Sequence, residues 1–155
     1  MHSYNVNTMS DCCSTQNQTM PEPKHKSDKQ LCPVCANKCL SVEIKTMLQH
    51  IKSPWQYSLT GQQPFFYCSS ALCDVVYFST DGTAINKPDI RQEIGVKEKN
   101  DNALICFCFG VTKAQAASDK KIKEFVVNQT RLSLCACDTS NPSGRCCLKD
   151  FPTFK

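Results

Sequence analysis

The sequence has few of the residues that phosphate-binding loops and histidine-based active sites require. Its 155 residues include five glycines, and neither a Walker A loop nor a dinucleotide-binding fingerprint is present. There are three histidines, and two of them, His2 and His25, fall in the first 25 residues. No Ser/His/Asp set and no open His-carboxylate metal site can be assembled from them. These absences argue against hydrolases and transferases and favour a protein that is not an enzyme.

Concentrated charge and long apolar runs are also missing. The net charge is +4 and the basic residues are scattered, so no nucleic-acid partner is expected. No apolar run approaches the roughly 18 residues of a membrane span. Residues 1–30 are polar, unlike a secretory signal peptide, and the expected compartment is the cytoplasm.

Cysteine, in contrast, is abundant, with thirteen residues in the chain. Without an export signal, clustered cysteines in a reducing cytosol are metal ligands more often than disulfide partners. The sequence therefore predicts that most of these thiols bind metal.

The first half of the chain divides into a tail and a small β-rich module. Residues 1–30 are rich in polar residues and lack periodicity, which predicts a disordered tail. A module over 31–86 follows, with a short helix predicted over 41–51 and Ser41 as its N-cap. Strands are predicted over 64–68, 74–79 and 83–85.

A charged segment, residues 87–102, is predicted as a linker to a second module over 103–155. Thr112 and Gln115 have the spacing of a capping box, which predicts a helix beginning at Thr112. A second helical pattern covers 121–134, and the cysteine-rich segment after it is predicted as a loop. The fold class is thus small α+β: a zinc-knuckle β-meander module, then a mainly helical metal-binding module.

The first set of thiols has the spacing of a closed zinc site. Two pairs, Cys32/Cys35 and Cys68/Cys73, each form a knuckle, the second between two predicted strands. Zinc in structural sites takes four such ligands in a tetrahedron. Cys39 lies four residues after Cys35 and could replace one of these ligands, or it could stay free.

The second set of thiols lies in the second module and comprises Cys106, Cys108, Cys135, Cys137, Cys146 and Cys147. A CxC pair does not readily chelate one tetrahedral zinc, but it can occupy adjacent corners of an iron–sulfur cluster. The spacing is not that of the common ferredoxins. Ligand chemistry alone does not decide whether the second site binds an iron–sulfur cluster or zinc. If it binds zinc, the protein could be a purely structural adaptor with two zinc sites.

Four segments resemble a known family in the same order. ICFCFGVTKAQ (105–115) is similar to the CxCxGVT segment of bacterioferritin-associated-ferredoxin-like (BFD-like) [2Fe–2S] domains. CPVC, YCSSALCDVVYF and NPSGRCCLKDF resemble the N-terminal domain of CopZ-type copper chaperones. That family joins a zinc module to a [2Fe–2S] module, and the resemblance spans residues 31–152.

The resemblance implies a [2Fe–2S] cluster held by the CxC and two later cysteines. Carried over by position, the ligands are Cys106, Cys108, Cys137 and Cys147, with Cys135 and Cys146 as alternatives for the last two. Backbone amides at the start of the helix at Thr112 are expected to stabilise the charge of the cluster.

The same resemblance implies electron transfer in copper homeostasis, with reduction of Cu(II) to Cu(I) or electron exchange with a partner. Expected partners are metal ions and a copper-transporting ATPase, a copper chaperone or a redox protein. CopZ-type chaperones usually continue into a copper-carrying domain with a MxCxxC loop. This sequence ends at Lys155 without that motif, so the heavy-metal-associated domain is expected to be lacking.

The tail supports an alternative function. Cys12 and Cys13 are adjacent thiols, which suit soft ions of low coordination number such as Cu(I) or Hg(II). In that case the protein would be a soft-metal chaperone or scavenger, and its other metal sites would be structural.

Overall fold

The computed structural model describes residues 29–154, which form a β-meander and a smaller helical unit. The sheet has five strands in the order β1-β2-β3-β4-β5, and every neighbouring pair is antiparallel. The strands are β1 (Lys29–Leu31), β2 (Lys38–Val42), β3 (Phe65–Tyr67), β4 (Val75–Ser79) and β5 (Ala84–Asn86). The predicted α+β class and the meander agree with this sheet.

Two strands and one helix cap differ from the sequence prediction. Strands β1 and β2 were not predicted, and β1 begins at Lys29, two residues before the expected start of the module. The rest of the predicted disordered tail lies outside the described residues. Ser41 lies inside β2, opposite Phe66, and is not an N-cap. Helix α1 covers Ile44–His50 and begins after Glu43, because pairing with β3 keeps the chain extended through Val42.

The two faces of the sheet pack different groups. Tyr67 and Tyr77 are paired across β3 and β4 and lie in an apolar core with Met47 and Ile51 of the α1 region. The neighbouring pair, Phe66 and Phe78, stacks with ring centroids 5.5 Å apart and packs among the buried cysteines. Strand β4 is therefore buried on both sides.

The segment 87–102, predicted as a linker, packs against the rest of the molecule. Ile90 pairs with Ile51 in an isolated bridge, and Ile94 pairs with Leu104. Gly95 donates a 2.7 Å backbone hydrogen bond to the Leu104 carbonyl. These contacts join the segment to both units.

The second unit begins with a hairpin and continues as helices. Its elements are β6 (Leu104–Cys106), β7 (Val111–Thr112), α2 (Lys113–Ser118), α3 (Lys120–Arg131) and α4 (Cys137–Ser140). The capping box at Thr112 and Gln115 is present as predicted, with both reciprocal hydrogen bonds. Among the described residues, no helix has the length and apolar character needed to cross a membrane.

Candidate metal centres

The first knuckle is a tight turn between β1 and β2. The amide of Ala36 donates to the Cys32 carbonyl, and the amide of Cys32 donates to the Asn37 carbonyl, each at 2.9 Å. Ala36 has a φ of 58°, in the left-handed region, which reverses the chain directly after Cys35. The turn presents the side chains of Cys32 and Cys35 together.

The second knuckle is the connection between β3 and β4. Cys68 directly follows β3, and its amide extends the ladder with a 2.9 Å bond to the Val76 carbonyl. Cys73 closes a turn by donating to the Ser70 carbonyl at 3.3 Å. Because β2 pairs with β3, the sheet places this knuckle beside the first.

The four predicted zinc ligands converge on one point. The sulfur–sulfur distances are 3.9 Å for Cys32–Cys73 and 3.6 Å for Cys35–Cys68, and all four sulfurs lie within 4.8 Å of one another. A tetrahedron with zinc–sulfur bonds of about 2.3 Å has edges of about 3.8 Å. Three of the four residues are buried and Cys35 is exposed. This geometry suits a closed, four-thiolate zinc ion.

The protonation of these thiols depends on their surroundings. A hydrogen bond from the backbone of Asn37 lowers the pKa of Cys35 to about 7. Burial raises the pKa values of Cys68 and Cys73 above the usual range of a thiol. Cys68 and Cys73 therefore remain protonated without metal, and metal binding displaces their protons.

Cys39 does not belong to the four-sulfur group. Its side chain is buried, and its sulfur donates to the Asn37 carbonyl at 3.2 Å. Burial raises its pKa. Cys39 is thus placed as a neutral thiol beside the four-sulfur group.

Lys97 lies against the first site, although the sequence placed it in the linker. Its side chain is 2% exposed, and Nζ donates to the carbonyls of Cys68 and Ser70, each at 2.8 Å. A tetrathiolate zinc carries a charge of −2, which a buried cation offsets. No sequence signal identified this lysine, because it stands in an ordinary charged run, Lys97-Glu98-Lys99.

Four thiols of the second set lie near one another. The sulfurs of Cys108 and Cys137 are 3.6 Å apart, and the pKa of the Cys106 thiol is lowered by the neighbouring Cys147 thiol. Within residues 29–154, the zinc-site cysteines are the one group of three or more ligands that lies within 4.8 Å. Cys147 also interacts with Cys137, so the four thiols share one site that is more open than the first, which suits a larger metal centre better than one tetrahedral ion.

Cys106 and Cys147, the inner pair, have pKa values shifted in opposite directions, and Cys108 and Cys137 are the outer pair. The hydrogen bond with Cys147 lowers the pKa of Cys106 to about 6, and the same bond, with burial, raises the pKa of Cys147. Burial raises the pKa of Cys137 to about 12. Cys106 and Cys147 are 0% and 1% exposed, whereas Cys108 is partly exposed, so the inner pair lies deeper than the outer pair.

The amides that donate to these sulfurs are not those of the predicted helix. Ala136, just before α4, donates to the sulfur of Cys108 at 3.2 Å, and the backbone of Phe109 in the hairpin helps to lower the pKa of Cys106. The first three amides of α2 donate to the carbonyls of Ala103 and Asp101 and to the Thr112 hydroxyl. These three amides therefore have partners other than the thiols, two in the chain before the hairpin and one in the helix cap.

The alternative ligands lie at the edge of this arrangement. Cys135 is partly buried and Cys146 is exposed, while their neighbours Cys137 and Cys147 are buried and paired. Cys12 and Cys13, the candidate copper ligands, fall outside the described residues.

Comparisons with known proteins agree with the first site. Residues 29–91 match the CopZ-type family model that is described as a zinc binding domain. The chain is 34% identical over 119 residues to the copper chaperone CopZ of Archaeoglobus fulgidus. These matches support a CopZ-type family. The aligned region covers 75% of this chain, and the chain spans 57% of the length of that CopZ.

A solved structure extends the similarity beyond the zinc site. The X-ray structure of the Archaeoglobus fulgidus CopZ N-terminal domain superposes with a TM-score of 0.65 at 28% identity. The match covers 80% of this chain and 100% of that one. The zinc-binding family model covers residues 29–91, which are 63 of the 155 residues, whereas the structural match covers 80% of the chain. The similarity in fold therefore continues into the second unit.

Proposed function

We propose that the chain is a metal-handling protein that joins a structural zinc site to a [2Fe–2S] electron-transfer site and acts in copper homeostasis. The gathering of four cysteines of the second unit, three of them buried and two with sulfurs 3.6 Å apart, is the observation that carries this proposal. Similarity to a protein named a copper chaperone supports the link to copper.

In this proposal Cys32, Cys35, Cys68 and Cys73 hold zinc and keep no open coordination position. The module has a small core, and structural zinc contributes roughly 10–16 kcal/mol of folding free energy in small domains. The role of this site is to hold together the two knuckles, which connect β1 to β2 and β3 to β4.

Cys106, Cys108, Cys137 and Cys147 would hold the cluster. The donor set fits it, because four thiols lie close together, with the sulfurs of Cys108 and Cys137 3.6 Å apart, and three of the four residues are buried. A bound [2Fe–2S] cluster would supply reversible one-electron transfer. The chain itself holds the thiolates, donates the amide of Ala136, and limits water with Phe107 and Phe109.

A substitution series tests the cluster assignment. Replacement of Cys106, Cys108, Cys137 or Cys147 by serine is expected to abolish the visible absorption of the cluster, whereas Cys135→Ser and Cys146→Ser keep it. Zinc content should stay near one per chain in all six variants. Loss of the absorption in Cys146→Ser but not in Cys147→Ser would reverse the assignment.

A second candidate function rests on the name of the relative and on the tail. If copper is carried by Cys12 and Cys13, removal of residues 1–28 abolishes Cu(I) binding and leaves the absorption of the cluster unchanged. The cut falls just before β1 and leaves the described fold intact. Unchanged Cu(I) affinity in the truncated protein would exclude the tail as the copper site.

A further inference from the structure

The loop between two of the proposed cluster ligands is fastened to the zinc-binding module. It runs from Asp138 to Cys146, and regular structure ends in it at Ser140. The Thr46 hydroxyl of α1 donates to the Asp138 carbonyl at 2.7 Å. The Tyr77 hydroxyl of β4 donates to the Pro142 carbonyl at 2.6 Å.

These hydroxyl groups are buried polar atoms with no role in the zinc site. Thr46 and Tyr77 are each 0% exposed. A buried hydroxyl without a hydrogen-bond partner destabilises a fold, so each of these side chains depends on the loop carbonyl that accepts from it. The carbonyls belong to the loop that carries Cys137 at one end and Cys147 at the other.

His50 contacts both segments that hold the proposed cluster. Its Nε2 lies 3.3 Å from the Thr139 carbonyl, two residues after Cys137. The edge of its ring packs against Phe107, the residue between Cys106 and Cys108, with centroids 5.4 Å apart. One side chain of α1 thus spans from the hairpin turn to α4.

A fourth contact runs from the loop to the sheet. The guanidinium Nη1 of Arg145 donates to the Ser41 carbonyl of β2 and to the Ser143 carbonyl, both at 3.1 Å. Arg145 is two residues from Cys147, so the loop is held to the zinc-binding module near both of its ligand ends.

We propose that Thr46, His50 and Tyr77 are positioning residues for the second metal site. They set the distance between the loop and the hairpin turn, and so the spacing between the thiols that the two segments contribute. This inference rests on the proposed function, since it concerns the ligands assigned there. In consequence, the zinc-binding module forms part of the wall of the second site.

The test compares matched variants of the full chain, purified anaerobically with both metals. Thr46→Val and Tyr77→Phe remove the hydroxyls and keep shape, Thr46→Ser restores the hydroxyl, and Tyr57→Phe is a control in the same module. Two properties are measured: the rate at which the iron chelator bathophenanthroline removes iron, and the midpoint potential. Zinc content and thermal unfolding of iron-free protein report on folding.

Thr46→Val and Tyr77→Phe are expected to lose iron roughly tenfold faster than wild type and to shift the midpoint potential. Thr46→Ser and Tyr57→Phe should resemble wild type. Wild-type iron-loss rates and potentials in Thr46→Val and Tyr77→Phe would overturn the positioning role. A wild-type protein that contains no iron or sulfide would instead overturn the proposed function itself.

Discussion

The ammonium group of Lys97 lies 2.8 Å from the carbonyl oxygen of Cys68, directly behind the second zinc knuckle. Desolvation lowers the pKa of this lysine, and the neighbouring thiols oppose that effect. The side chain is buried beside the four thiols that would share one metal ion. Its positive charge is therefore expected to stabilise the metal-bound form more than the metal-free form.

Lys97→Met should therefore weaken zinc binding. The substitution removes a buried cation and its hydrogen bonds to two carbonyls of the knuckle. Loss of such outer partners typically lowers metal affinity about 10–100-fold. Competition with a chromophoric zinc chelator measures the change. Lys99→Met, two residues away and exposed, is the control and should bind zinc like wild type. Equal affinities in both variants would show that the Lys97 contact does not affect the metal.

The close approach at Gly95 gives a prediction for stability. A β-carbon there would lie 2.7 Å from the Leu104 carbonyl oxygen, so the segment before β6 would have to move. Gly95→Ala is expected to lower the free energy of unfolding by about 1–3 kcal/mol, measured in urea.

Gly61 provides the comparison for this measurement. It has open space around it and a φ of +75°, so Gly61→Ala meets conformational strain without a clash. Its cost should be about 1 kcal/mol. A smaller loss in Gly95→Ala than in Gly61→Ala would contradict the packing account of the segment 87–102.

His50 predicts a dependence of stability on pH. Burial lowers its pKa below the ordinary 6.5, although the carbonyls of Thr139 and Ser140 oppose this shift. The unfolded chain then binds the proton more tightly, so the neutral-histidine contribution is complete above about pH 6.5 and decreases as the pH falls toward the folded-state pKa.

The test compares wild type with His50→Gln, which keeps a side-chain donor but does not titrate. Thermal unfolding between about pH 7.5 and 5.5 should show a steeper loss of stability in wild type. Zinc content is checked at each pH, since acid also protonates the thiols. Parallel curves for the two proteins would show that His50 does not titrate differently on folding.

Much of the first site could be predicted from sequence because its chemistry is local. A CxxC turn fixes two sulfurs through its own hydrogen bonds, and aromatic strands flanking Cys68 and Cys73 indicate a hairpin. The strands β1 and β2 were missed because Lys29–Leu31 and Lys38–Val42 lack aromatic and strongly alternating residues. Their extended form depends on pairing with β3, which is a property of the assembled sheet.

The second site shows the limit of sequence patterns more clearly. The capping box at Thr112 correctly predicted where α2 begins, yet its amides are used by Ala103, Asp101 and its own cap. The contacts of Tyr77 with Pro142 and of Lys97 with Cys68 join residues distant in sequence. No spacing rule reports such contacts, since they depend on how elements pack.

The central claim is that one chain holds two kinds of metal centre, and metal and sulfide analysis tests it most directly. Protein purified without oxygen should be brown and contain about two irons, two sulfides and one zinc per chain. A colourless protein with about two zincs and no sulfide, after expression with ample iron and sulfur, would contradict the account.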